Sequence, residues 1–168
     1  MTTNSLTRKI CQNGVVAAVY FVITLAASGI SYGQIQFRIA EILVLLCFFR
    51  PDFVIGVTLG CFLANINSTI QPWDMILGTA ATFISSLLIA YASPRLAVAC
   101  IWPVIFNAFI VAGELTWILQ LPFWLNVAYV GAGEAAVIAV AYIIMMMLMR
   151  NKGFMTYLAP QRHQEVKW

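Results

Sequence analysis

Short polar breaks cut an otherwise apolar chain into stretches of about bilayer length, and this spacing constrains the fold more than any motif. The breaks are the cluster of Ser28, Gly29, Ser31 and Gly33, then Arg50-Pro51-Asp52, the run from Asn65 to Thr69 with Gln71-Pro72, Ser93-Pro94-Arg95, and the turn before Pro122. A spanning helix needs about 20 mostly apolar residues, and a residue before proline is pushed out of helical geometry. The breaks therefore predict an all-α membrane protein of six transmembrane helices, over residues 13–30, 35–49, 52–66, 74–92, 96–119 and 122–149. These form one domain over 1–150, followed by a basic tail over 151–168. The second segment covers only about 22 Å of a roughly 30 Å hydrocarbon core. It either borrows part of the preceding loop or does not cross fully.

Composition excludes a soluble fold. Of 168 residues, 62% are hydrophobic and 9% charged, against roughly 25% charged in an ordinary soluble domain. Nine Lys and Arg with six Asp and Glu cannot cover the core of such a domain. With six spans and a cytoplasmic amino terminus, the inner side receives Arg8, Lys9, Arg50, Arg95, Arg150, Lys152, Arg162 and Lys167, and only Arg38 falls outside. That is the expected positive-inside bias, with both termini cytoplasmic. Trp73, Trp117 and Trp124 fall at outer ends of segments, where they are expected as interface anchors. The first apolar stretch follows Arg8 and Lys9 and precedes Ala26-Ala27-Ser28, like a signal peptide, but the equally apolar segments after it favour a retained first helix. The basic tail suits lipid headgroups or a protein partner rather than nucleic acid.

Several chemistries are absent. The sequence holds no Gly-x4-Gly-Lys-Ser/Thr phosphate loop, no Gly-x-Ser-x-Gly and no His-Glu-x-x-His. Its one histidine, His163, lies in the tail. Cys11, Cys47, Cys61 and Cys100 are scattered, which indicates neither a disulfide framework nor a zinc site. The chain is expected to be no enzyme and to carry no metal or cofactor of its own.

What remains is a set of ionisable and amide groups in or at the outer ends of apolar segments: Glu41, Asn65, Asp74, Asn107, Glu114 and Glu134. Buried charge in a membrane is costly and marks function by default. Asn107 and Glu114, seven residues apart, share one helix face. Glu134 lies about 18 Å from the outer start of the last helix, a depth at which ligand contact is the favoured role. Arg38 and Glu41, three residues apart at the edge of the bundle, are expected to pair with each other first. Asp74, after Pro72-Trp73, is expected to cap a helix with its carboxylate. Gly14, Ala18 and Ala26 form a small-residue face on helix one, and Gly56 and Gly60 repeat the spacing on helix three; each suits a partner helix or packing within the bundle.

Taken in order, Gln36-Phe37-Arg38-Ile39-Ala40-Glu41, Gly60-Cys61-Phe62-Leu63-Ala64-Asn65, Asp74-Met75-Ile76-Leu77-Gly78-Thr79, Asn107 with Glu114-Leu115, and Gly133-Glu134 resemble the QueT family over nearly the whole chain. The family pattern has serine where Ala40 stands and proline where Cys47 stands, so no hydroxyl contact is expected at Ala40. The resemblance implies a substrate-binding S component of an energy-coupling factor (ECF) importer for queuosine precursors, in a bacterial cytoplasmic membrane. It further implies a six-helix fold whose site lies near the outside, under the loop joining helices one and two. The implied partners are a transmembrane coupling subunit of the EcfT type, contacted through Gly14, Ala18 and Ala26, and two cytoplasmic ATPases that use the ATP. A precursor such as preQ1 is a deazaguanine with an aminomethyl cation. Its two adjacent N–H donors suit a carboxylate, its carbonyl an amide or Arg, and its ammonium a second carboxylate. Glu114 and Glu134, with Asn107 nearby and Arg38 or Gln36 from the loop, would supply this set, and Glu41, Asn65 and Asp74 complete the candidates. The sequence leaves three alternatives: an S component for another vitamin-like substrate, a small carrier or channel without ATPases, and a structural membrane subunit.

Overall fold

The computed structural model describes residues 3–27, 38–68, 70–158 and 160–161, with the side chains of 3–5 left aside. Every regular element among them is helical. We number the α-helices α1 (Thr3–Ala26), α2 (Phe53–Asn65), α3 (Trp73–Tyr91), α4 (Leu96–Ala99), α5 (Ile101–Leu119), α6 (Phe123–Met149) and α7 (Lys152–Leu158); a 3₁₀ helix, Ile39–Phe48, lies between α1 and α2. Four stretches are long and apolar enough to cross a membrane: Leu6–Ala26, Trp73–Tyr91, Leu96–Leu119 and Phe123–Met149. Ile39–Phe48 and Phe53–Asn65 are shorter apolar helices.

The short second segment is wound as a 3₁₀ helix rather than as the α-helix expected from the sequence. At a rise of about 2.0 Å per residue its ten residues cover about 20 Å. It is the centre of the molecule, touching α1, α2, α3 and α6, and it buries Ala40, Glu41, Val44, Leu45, Cys47 and Phe48. An element enclosed on all sides has no polar face, which explains why Glu41 is its one charged residue.

α1 and α2 run parallel and nearly touch. A methyl group on Gly56 would lie 2.8 Å from the Asn13 carbonyl oxygen, and one on Gly60 would lie 2.8 Å from that of Ala17. The close approach is pinned by the Gly56 N–H, which donates to Asn13 Oδ1 at 2.8 Å. The Gly56 and Gly60 pair is therefore used inside the bundle, as small residues allow. At the far end of α5, Gln120 adopts a left-handed conformation with φ 56°. This ends the helix, and the extended Pro122 starts α6 in the return direction.

The two ends of the bundle differ in chemistry. Around Phe48, Phe49, Val57, Ile89, Ile138, Ala141 and Met145 the interior is apolar. Below this core, buried Arg50 grips Asp52 with two hydrogen bonds of 2.8 and 2.6 Å, donates to the Leu158 carbonyl at 2.9 Å and to Gln12 Oε1 at 3.0 Å, and lies 4.6 Å from the Phe53 ring centre. One guanidinium thus ties α1, the turn before α2, and α7 together. The opposite end, where the 3₁₀ helix begins, α2 and α5 stop, and α3 and α6 start, holds the polar residues.

Candidate functional site

Arg38 stands just before the 3₁₀ helix and is 6% exposed. Its guanidinium spans three helices. Nη2 donates to Asn65 Oδ1 at 3.0 Å and meets Asp74 Oδ1 at 3.5 Å, and Nη1 donates to Asn107 Oδ1 at 3.4 Å. Gly78 makes room for it, since a methyl there would lie 2.8 Å from Arg38 Nη2 and 2.7 Å from Asp74 Oδ1. Asn65 Nδ2 also donates to the Asp74 carbonyl oxygen at 3.0 Å, which joins the end of α2 to the start of α3.

Two expectations from the sequence are corrected here. Asp74 does not cap α3: the helix starts at Trp73 without a side-chain cap, and the carboxylate turns to Arg38. A buried guanidinium without a counter-charge is strongly destabilising, and that demand outweighs a first-turn amide. Nor do Arg38 and Glu41 pair with each other. Arg38 has non-helical dihedrals, φ −79° and ψ 73°, so helical i, i+3 adjacency does not apply. Glu41 faces another way, and its Oε1 accepts hydrogen bonds from Tyr20 Oη and Thr82 Oγ1, each at 2.7 Å.

Tyr20, Thr82 and Cys61, whose Sγ donates to Thr82 Oγ1 at 3.3 Å, were not singled out in the sequence. Hydroxyls and thiols are ordinary in membrane helices. The available signal was the spacing of Ala17, Tyr20 and Thr24, which places Tyr20 on the buried stripe of α1.

Beside this bonded network lie polar groups with no partner among the described residues. They include both carboxyl oxygens of Glu114, Oε1 of Glu134, Oε2 of Glu41, Nδ2 of Asn107 and Nδ2 of Asn126. All five residues are buried. Arg38 and Asp74 lie within electrostatic reach of Glu114, and Arg38 and Glu41 within that of Glu134, with the Asn107 side chain alongside Glu134. An unsatisfied buried polar group costs about 1–3 kcal/mol, so a cluster of them is the candidate for ligand contact. Around it the buried charges are Glu41, Asp74, Glu114 and Glu134 against Arg38 alone. Such a site suits a ligand that brings several N–H donors, a carbonyl acceptor and positive charge.

The structure therefore brings Arg38, Glu41, Asn65, Asp74, Asn107, Glu114 and Glu134 to one end of the bundle, and adds Asn126. Gln36 lies outside the described residues. Trp73 and Trp117 pack edge to face, 4.9 Å between ring centres, and with Trp124 are exposed near the same end. Gly14, Ala18 and Ala26 lie together on the exposed face of α1, and a methyl on Gly14 would meet nothing within 4 Å.

No solved structure matches the chain. Among curated proteins, the queuosine precursor transporter QueT of Lactococcus lactis subsp. cremoris (strain MG1363) is 31% identical over 157 residues, covering 84% of this chain and 92% of that protein. The family model of the QueT transporter matches residues 10–150. On the extent of that match and the identity to a relative of nearly equal span, the chain belongs to the QueT transporter family.

Proposed function

We propose that this chain is the substrate-binding S component of an ECF importer and captures a queuosine precursor, preQ1 or a related deazaguanine, from outside the cell. The observation that carries the reading is the buried cluster of unpartnered groups on Glu114, Glu134 and Asn107 beside the Arg38 network, whose donors and acceptors complement a cationic deazaguanine. Six membrane crossings, with the 3₁₀ helix and α2 as the two short ones, and both termini in the cytoplasm fit this role. Support comes from the placement of Arg50 with α1 and α7 at one end and the site at the other, together with the bias of eight basic residues to one side. In this reading the exposed Gly14, Ala18 and Ala26 face meets a transmembrane coupling subunit, and two cytoplasmic ATPases supply the energy. The chain itself needs no cofactor.

Calorimetry on the purified chain with preQ1 and queuine tests the substrate. Binding to at least one is expected, and a folded protein that binds neither refutes the assignment. Glu134→Gln should weaken binding about tenfold or more if it bears a charged hydrogen bond. Ala18→Leu should impair co-purification with the coupling subunit while leaving ligand affinity intact. Uptake that persists in cells lacking the ATPases would instead favour a carrier that works alone.

A further inference from the structure

Asn126 is the buried polar residue of the site for which neither the family resemblance nor the bonded network supplies a role. It is 4% exposed, on the first turn of α6, and its Nδ2 has no partner among the described residues. Its height in the bundle follows from the contact between α5 and α6. These helices run antiparallel and meet where a methyl on Gly131 would lie 3.3 Å from Ala108 Cβ. From that level Glu114 lies six residues along α5 toward the polar end, and Asn126 five residues along α6 toward the same end, so they stand about 9 and 8 Å above it. Asn107 and Glu134 lie one and three residues on the other side, about 2 and 5 Å below. Val111 and Val130 lie between these levels and pack with Leu115, which stands just above Glu114. All four polar residues belong to the buried faces of their helices.

The unpartnered carboxyl and amide groups of α5 and α6 thus fall into two tiers, each a carboxylate with an amide. Both oxygens of Glu114 are buried without a partner, whereas of Glu134 only Oε1 is, with the Asn107 side chain alongside. Two free oxygens suit two adjacent N–H donors, and one suits an ammonium. An amide N–H beside the two-oxygen acceptor completes an acceptor, acceptor, donor row. That row is the complement of a 2-amino-4-oxopyrimidine edge.

Resting on the queuosine-precursor reading, we infer that Glu114 and Asn126 read the pyrimidine edge of the ligand. Glu114 accepts its ring N–H and exocyclic amino group, and Asn126 Nδ2 donates to its carbonyl oxygen. Glu134, deeper in the bundle, receives the aminomethyl cation on its free Oε1. Asn126 is then a specificity-determining residue, because it favours a carbonyl over an amino group at the 4-position.

The test measures by calorimetry the affinities of the wild-type chain, Asn126→Ala and Asn126→Asp for preQ1 and for its 2,4-diamino analogue, with folding checked by monodisperse elution. The diamino analogue also lacks the ring N–H that Glu114 accepts, so wild type should prefer the oxo ligand by well over tenfold, and Asn126→Ala should lower that ratio by about tenfold. The near-isosteric Asn126→Asp exchanges the donor for an acceptor and should shift preference toward the diamino ligand, which keeps the test open if the alanine variant does not fold. A folded variant that retains the wild-type ratio overturns the role of Asn126 while leaving the proposed function intact. A wild-type chain that binds no deazaguanine overturns both.

Discussion

Arg38→Met isolates what the central guanidinium does. Methionine keeps an unbranched apolar stem and removes the charge and all donors. Three acceptors then lose their donor: Asn65 Oδ1 at 3.0 Å, Asn107 Oδ1 at 3.4 Å and Asp74 Oδ1 at 3.5 Å. Asp74 is 1% exposed, so its carboxylate is left buried without a counter-charge. Breaking a buried pair by removing one partner costs about 3–5 kcal/mol, most of it from the stranded charge. Asp74→Asn strands the buried Arg38 guanidinium in the same way, although an amide oxygen can still accept from it, and should cost a comparable amount. In the double variant Arg38→Met/Asp74→Asn the stranded charge is gone, so part of the loss should return, with a coupling of about 1–3 kcal/mol. Thermal unfolding in detergent, followed for the four proteins of the cycle, reads this directly. Losses that add within about 0.5 kcal/mol would refute the idea that Arg38 and Asp74 act as one unit.

Further perturbations separate the packing surfaces from the site. Gly60→Ala drives a methyl to 2.8 Å from the Ala17 carbonyl and should cost about 1–3 kcal/mol, whereas Gly14→Ala meets nothing within 4 Å and should not destabilise; equal melting points would contradict the α1–α2 geometry. Arg50→Met removes the bond to the Leu158 carbonyl and should raise hydrogen exchange and proteolysis in α7. Protection there as in wild type would show that α7 is held by its apolar contacts alone. The Asp52 carboxyl, at the break before α2, is pushed up by burial, but the hydrogen bonds and charge of Arg50 outweigh that and hold it below its ordinary value of 3.8. Because its pKa is depressed in the folded protein, its stabilisation is present above about pH 4 and fades as pH falls through the folded value. Melting points taken between about pH 6 and pH 3 should therefore drop more in wild type than in Asp52→Asn, and parallel curves would remove Asp52 from the account.

How much of this was legible in the sequence depends on the range of the interaction. Class and segmentation rest on local facts: long apolar runs, the X-Pro steps at Arg50-Pro51 and Ser93-Pro94, and the scarcity of charge, each of which acts within a few residues. The candidate polar residues were equally visible, because a Glu or Asn in an apolar helix stands out wherever it points. Their partners were not visible. Asp74 reads as a cap and Arg38 as a neighbour of Glu41 only while contacts are sought nearby in sequence. In the structure Arg38 bonds residues 27, 36 and 69 positions away, and Glu41 bonds residues 21 and 41 positions away.

The sequence by itself determined that this chain is an apolar helical protein, and that carboxylates and amides are concentrated in its helices and in the segment before the 3₁₀ helix. Only the tertiary structure decided how they divide. Glu41 Oε1 is held by two hydroxyls and Asp74 by Arg38, while Glu114, Glu134, Asn107, Asn126 and the second carboxyl oxygen of Glu41 keep groups without a partner among the described residues. The physical reason is that satisfaction of a buried polar group depends on which helix faces it at the same height. That is set by packing at small residues such as Gly60, Gly78 and Gly131, far from it in sequence.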